Sequence, residues 1–181
     1  MPQAARWIRL GTAAPADLVA TLTGLALAQS ARSAPILAWC SVEHAVESRL
    51  LQADEERYAY ALIAPLVYAP GRTSRWCAWA LAPAIATYRQ LGVRVHSSGN
   101  ELRLNGACIG RASAAELGEC VVASASFLTR IPRAAFEERV IESVFRQRIE
   151  AQFGWQFDNS WADDEERAAI EQAAPETALT R

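Results

Sequence analysis

Apolar residues along the chain change period from element to element, and those changes predict where strands and helices lie. Trp7, Ile8 and Leu10 give a short strand at 6–10. Pro15 and Asp17 open a helix, because proline is tolerated and an acid favoured in a first turn, and Leu18, Leu22 and Leu25 carry it to about residue 30. A compact apolar run at 36–40, containing Trp39, predicts a buried strand. Residues 42–52 are ambiguous, with Val46 and Leu50 on one helical face, and 53–57 is a charged connector. The run 58–69 reads as a strand or a bent pair of strands with Pro65 at the bend. After a turn at 70–73, Thr73 or Ser74 caps a helix that runs to Leu91, kinks at Pro83 and ends on Gly92.

A strand at 93–96 leads into the most specific local pattern in the chain, residues 97–111. Asn105-Gly106 between two short alternating runs predicts a two-residue type I′ hairpin, since both central positions need positive φ. Such a turn sets Leu104 opposite Ala107, Arg103 opposite Cys108, Leu102 opposite Ile109 and Glu101 opposite Gly110. Leu102, Leu104, Ala107 and Ile109 then share an apolar face. Glu101, Arg103, Cys108 and Gly110 share the other, with Arg111 pointing away from them. Beyond the hairpin, 121–128 is a buried strand. Pro132 precedes a helix at 134–153 with Phe136, Val140, Val144, Phe145 and Ile149 inside and Arg139, Glu142, Arg146 and Glu150 outside. A last helix spans about 162–172, and 173–181 reads as a flexible tail.

This order of helices and short antiparallel runs predicts an α+β fold, a mixed and mostly antiparallel sheet with helices packed on one side of it. At 181 residues the chain suits one domain, here 1–172. With 51% apolar and 21% charged residues and a net charge of -2, nothing draws the chain to nucleic acid or anionic membrane. No apolar run reaches the roughly 18 residues of a membrane span, so the expected location is the cytoplasm. All 18 basic residues are arginine; lysine is absent. Four cysteines, at 40, 77, 108 and 120, are too scattered for a zinc motif or a disulfide framework and are expected to be reduced. Cys40, Cys77 and Cys120 fall in apolar segments and read as core.

Gly99-Asn100-Glu101, the turn Asn105-Gly106 and then Cys108-Ile109-Gly110 resemble a segment of the lipoate-protein ligase and biotin-protein ligase family that reads G-x-N-D, strand, N-G, K-I-x-G. The order of the N-terminal half, a Trp-bearing strand, a helix and an apolar strand with Trp39, is similar to the same family. The resemblance implies that fold, with Asn100, Glu101, Arg103 and Gly110 facing the ligand and Cys108 at the position of the family's lysine. That lysine contacts the acyl carboxylate and the adenylate phosphate, and a thiol of ordinary pKa, about 8.5, is mostly neutral at pH 7 and cannot replace its charge. Two further family features are missing. The helix signature N-M-A-x-D-E corresponds here to Thr21-Leu22-Thr23-Gly24, and the R-R-x-T-G-G-G acyl-binding loop has no counterpart, since no glycine lies between Trp39 and Tyr60.

The individual candidates each carry a chemical and a structural reading. Cys108 is a nucleophile opposite Arg103, whose charge favours a thiolate, or a small hydrophobe tolerated once the lysine ceased to matter. His96 is a base or a packing residue. Glu43, His44 and Glu47 are a weak metal set or a solvated face. Trp76, Trp79 and Tyr88 line an acyl groove or the core, and Arg72 and Arg75 meet an acidic partner or only solvent. The joint loss of lysine, loop and helix carboxylates implies a divergent ligase-like protein without adenylation, binding an acyl group or partnering a lipoyl carrier protein, with lipoate or octanoate as the implied ligand and no other cofactor indicated. The alternatives are an ATP-independent lipoyl or octanoyl acyltransferase using Cys108, and a subunit of a split ligase with a partner ligase chain.

Overall fold

A computed structural model of the chain describes residues 3–128 and 138–178. The elements in order are β1 (Gln3–Thr12), α1 (Pro15–Leu27), β2 (Ile36–Val42), β3 (Val46–Glu47), β4 (Gln52–Ala53), β5 (Arg57–Pro65), α2 (Trp76–Gln90), β6 (His96–Ser98), β7 (Glu101–Leu104), β8 (Ala107–Leu117), β9 (Cys120–Leu128), α3 (Glu138–Phe153), β10 (Trp155–Asn159) and α4 (Asp164–Ala178). Eight strands form one sheet in the order β10-β1-β2-β5-β9-β8-β7-β6, with β3 and β4 a separate small hairpin. The pairs β10–β1 and β1–β2 are parallel and the remaining pairs antiparallel. The architecture is the expected mixed, mostly antiparallel α+β sheet.

Helices cover both faces of that sheet, not one. Alternation along β1 sends Trp7 to one side and Ile8 to the other. Trp7 joins Trp39, Tyr60, Phe127 and Phe145 in an aromatic core under α2 and α3, where Tyr60 and Phe145 have centroids 4.5 Å apart. Ile8 joins Leu18, Leu22, Leu25, Ile36 and Ile63 under α1. Helix α4 packs across α1 so closely that a Cβ on Gly24 would overlap the backbone of Ile170. Because β2, β5 and β9 are buried on both faces, their sequences run apolar without alternation.

Several boundaries differ from the sequence reading. Residues 42–52 hold no helix; Val46 and Leu50 are both buried, on a hairpin tied by Ser48 Oγ, which accepts from the amides of Leu50 (3.1 Å) and Leu51 (3.0 Å). Helix α2 starts at Trp76, after a 3₁₀ turn at Thr73–Arg75, with no side-chain cap, and continues through Pro83. Gly92, at φ 78°, ends it as expected. The strand leading into the hairpin is at 96–98, not 93–96. Residues 134–137, including Phe136, lie outside the described residues. The inner face of α3 is Ile141, Phe145 and Ile149, while Val140 is exposed, because the i, i+4, i+8 row is the one that meets Trp7 and Trp39. Strand β10 was not foreseen, and α4 extends to Ala178, past residue 172. Among the described residues no helix is long and apolar enough to cross a membrane.

Candidate functional site

The hairpin of β7 and β8 forms around the predicted turn. Asn105 and Gly106 adopt φ of 51° and 84°, and Arg103 pairs with Cys108 and Leu104 with Ala107. Beyond that the register shifts. Leu102 pairs with Gly110 and Glu101 with Arg111, leaving Ile109 as the extra residue of a β-bulge. The cause lies on the far side of β8, which leaves β7 and joins β9. Gly110 sits so close to β9 that a Cβ would overlap the Ser126 carbonyl, and the Arg111 amide donates to Ser126 Oγ at 3.1 Å.

The bulge changes which side chains share the polar face. Arg111 stands opposite Glu101, and hydrogen bonding to the Cys108 side chain, then the field of Asp54, holds its guanidinium above the ordinary arginine pKa. Arg111 therefore lies with Cys108, where the unbulged register turns it away. Arg103 is committed elsewhere: its Nε and Nη2 donate to Glu101 Oε2 at 2.8 and 2.5 Å, and Nη1 donates to the Gly106 carbonyl at 2.7 Å. Cys108 is half-buried and its Sγ donates to the Gly110 carbonyl at 3.4 Å. Asn100 closes the hairpin's open end, its carbonyl accepting from the Ala112 amide at 2.7 Å and its Nδ2 donating to the Ala112 carbonyl at 3.3 Å.

The connector between β2 and β5 lies directly on the sheet. Leu50 and Leu51 are 3% and 1% exposed. Ser124 Oγ on β9 donates to the Leu50 carbonyl at 2.6 Å and accepts from Ser113 Oγ on β8 at 2.9 Å. Each of these buried hydroxyls is satisfied by protein, so the hairpin β3–β4 is a packed piece of the core.

The other candidates separate cleanly. His96 is exposed on edge strand β6, opposite Arg103. Glu43, His44 and Glu47 are exposed on the connector, and among the described residues no group of three His, Cys, Asp or Glu side chains gathers. Trp76 and Tyr88 are buried in the core, and Trp79 packs on Phe153 and Trp155 with centroids 5.4 and 6.3 Å away. Arg72 and Arg75 are exposed. Burial pushes the Cys40 thiol up to about 12 and the Cys120 thiol up to about 11, as suits core residues, while Cys77 is half-buried and raised for the same reason.

Structures of known proteins align over nearly the whole chain. A lipoate-protein ligase A bound with ATP matches with a TM-score of 0.82 at 7% identity, covering 94% of both chains. The chain has the lipoate and biotin protein ligase fold. The bi-partite lipoate protein ligase of Thermoplasma acidophilum, from a structure with its E2 lipoyl domain, matches with a TM-score of 0.78 at 8% identity, covering 98% of this chain and 95% of that one. A Helicobacter pylori biotin acetyl coenzyme A carboxylase synthetase with biotinylated ATP is more distant, with a TM-score of 0.54 at 16% identity over 81% and 75% of the two chains. No protein-family model and no curated protein matches the sequence. Within the ligase fold, the residue that sequence reasoning missed at the hairpin is Arg111, since only the bulge brings it beside Cys108, and Gly110 was the available signal for that bulge.

Proposed function

We propose that this chain is a ligase-fold protein that does not adenylate and serves as a partner module for a lipoyl or acyl carrier. The observation that carries the reading is the connector pressed onto β8 and β9, with Leu50 and Leu51 buried and the Leu50 carbonyl bonded to Ser124. In ligases of this fold the equivalent segment is the glycine-rich loop implied by the family resemblance, whose free amides hold acyl group and phosphate. Here the backbone is spent on the protein's own serines, and Cys108 stands where the lysine would be. The residues present do not fit an adenylate. What remains is an exposed hairpin end and a surface able to meet a carrier. A subunit of a split ligase is one form of this role, and the likeness to the bi-partite archaeal ligase supports it.

A second reading has one specific observation in its favour, the Arg111 guanidinium at the Cys108 side chain. In that reading the Cys108 sulfur attacks an activated acyl thioester, the donor thiol leaves with the proton, and the acyl group passes to a carrier lysine. The deciding experiment for the main reading is ATP–pyrophosphate exchange with lipoate, octanoate and biotin, run beside a binding titration with an isolated lipoyl domain. Binding without exchange is the expected result. Exchange well above a blank with any of the acids overturns the reading.

A further inference from the structure

The ends of β1 and β2 and one side of α3 line an open cavity of about 570 Å³ that includes no residue of the hairpin or the connector. That volume lies within the range of small-molecule sites, about 300 to 1,000 Å³. Trp39 lines it, 3% exposed, and its Nε1 is buried with no hydrogen-bond partner. That N–H is covered by protein, so the indole contributes ring surface to the cavity and no donor. Around it stand Arg9, Arg139 and Arg146 against a single carboxylate, Glu142.

Arg146 is already used: it bonds Glu150 and Asn159 at 3.1 Å each and the Phe157 carbonyl, and its guanidinium lies 5.6 Å from the Trp7 ring centre. Arg9 is engaged through Nε alone, to Glu142 at 2.7 Å, and Arg139 has no acidic partner among the described residues. The free polar groups facing this space are therefore donors: guanidinium nitrogens and the hydroxyls of Ser41 and Ser143. An apolar acyl tail would bury them without acceptors, which is unfavourable.

We propose that this cavity binds a small organic oxyanion, a carboxylate or a phosphate ester, held by Arg9 and Arg139 beside the Trp39 ring. Guanidinium forks suit both anions. None of the residues invoked belongs to the hairpin or the connector, so the inference stands apart from the question of adenylation.

The test is NMR of the protein labelled with ¹⁵N at its indoles, titrated separately with inorganic phosphate, succinate and octanoate, with Trp39→Phe assigning the Trp39 signal. Saturable movement of that signal is expected with phosphate, with succinate, or with both, and the responding arm names the anion class. Arg139→Ala, at an exposed helical position, should keep the melting temperature and weaken binding by about tenfold, as loss of a charge-assisted hydrogen bond requires. If Trp39→Phe does not fold, resonance assignment of the wild type replaces it. A Trp39 signal that none of the three moves at millimolar concentration overturns the proposal. So does binding, octanoate included, that Arg139→Ala leaves unchanged.

Discussion

Arg6 and Arg9 lie three residues apart on β1, face opposite sides of the sheet and each meet a helix carboxylate, yet one is locked and the other open. Arg6 donates to both oxygens of Glu166 at 2.5 and 2.9 Å, to Ser160 Oγ at 3.0 Å and to the Trp161 carbonyl at 2.8 Å. Glu166 is 1% exposed and also accepts from Gln29 Nε2 at 3.0 Å and the Asp163 amide at 2.9 Å, while Asp163 Oδ1 accepts from the Glu166 amide in return. This reciprocal cap starts α4 and ties it to β1 and α1. Arg9 makes one bond, to a Glu142 that is 13% exposed, and leaves its terminal nitrogens over the cavity. A satisfied buried pair fixes the fold, whereas a half-used pair at the surface leaves donors for a ligand.

Breaking the lock should therefore have the largest effect. Glu166→Ala leaves Arg6 with its side chain 24% exposed and its main partner gone, and removal of one member of a buried pair costs about 3 kcal/mol or more. Arg9→Ala, with a side chain 64% exposed, should cost less than about 1 kcal/mol. Urea unfolding of the two variants checks the contrast, and equal losses would show that the two arginines are not differently built.

Helix packing on the locked side gives the next effect. Gly24→Ala gains up to about 1 kcal/mol of helix propensity, but its Cβ meets the Ile170 backbone, which cannot yield as a side chain tip can. Overpacking of this kind costs about 1 to 3 kcal/mol, so net destabilisation is expected in a thermal melt. A variant as stable as the wild type would place α4 farther from α1 than described.

How far the sequence reaches follows from the same contrast. Turn chemistry is local, so Asn105-Gly106 announced its hairpin, and Pro15, Asp17 and Gly92 announced helix ends. The bulge is not local: it arises where β8 changes partners and Gly110 meets the Ser126 carbonyl, contacts between residues far apart in sequence. Strand β10 went unread because Trp155 and Phe157 alternate over only five residues, too short a run to stand out after a helix. Trp39 was legible as a core residue; the cavity beside it was not, since what Ser41, Arg9 and α3 leave open is a tertiary property.

Alkaline titration should bring a smaller effect from the sheet core. Cys40 and Cys120 are held at about 12 and about 11 by burial, above the ordinary thiol value of about 8.5. Between that value and those two the unfolded chain loses these protons while the native chain keeps them. Stability is thus intact below about pH 8.5 and falls as pH rises, by at most about 1.4 kcal/mol per pH unit for each thiol. Cys40→Ala should flatten the fall between pH 9 and 11 in urea titrations at constant ionic strength. An unchanged slope would remove Cys40 as a cause.

The smallest effect concerns the open end, where Cys108 is half-buried beside Arg111 while Cys40 and Cys120 lie fully in the core. Iodoacetamide at pH 8 should modify Cys108, and more slowly Cys77, in the folded protein, with Cys40 and Cys120 reacting only when urea opens the chain. If Cys108 is a remnant of the lysine site, access alone sets its rate, and Arg111→Ala should change that rate by less than about threefold, the loss of one exposed charge interaction. The acyltransferase reading requires more, because a nucleophile needs activation in place. It predicts a drop well beyond that in Arg111→Ala, together with a mass increase of one octanoyl group after incubation with an octanoyl thioester, absent in Cys108→Ser. Absence of the adduct with a rate insensitive to Arg111 is the expected outcome, since among the described residues no base stands at the sulfur and the bond it donates goes to the Gly110 carbonyl.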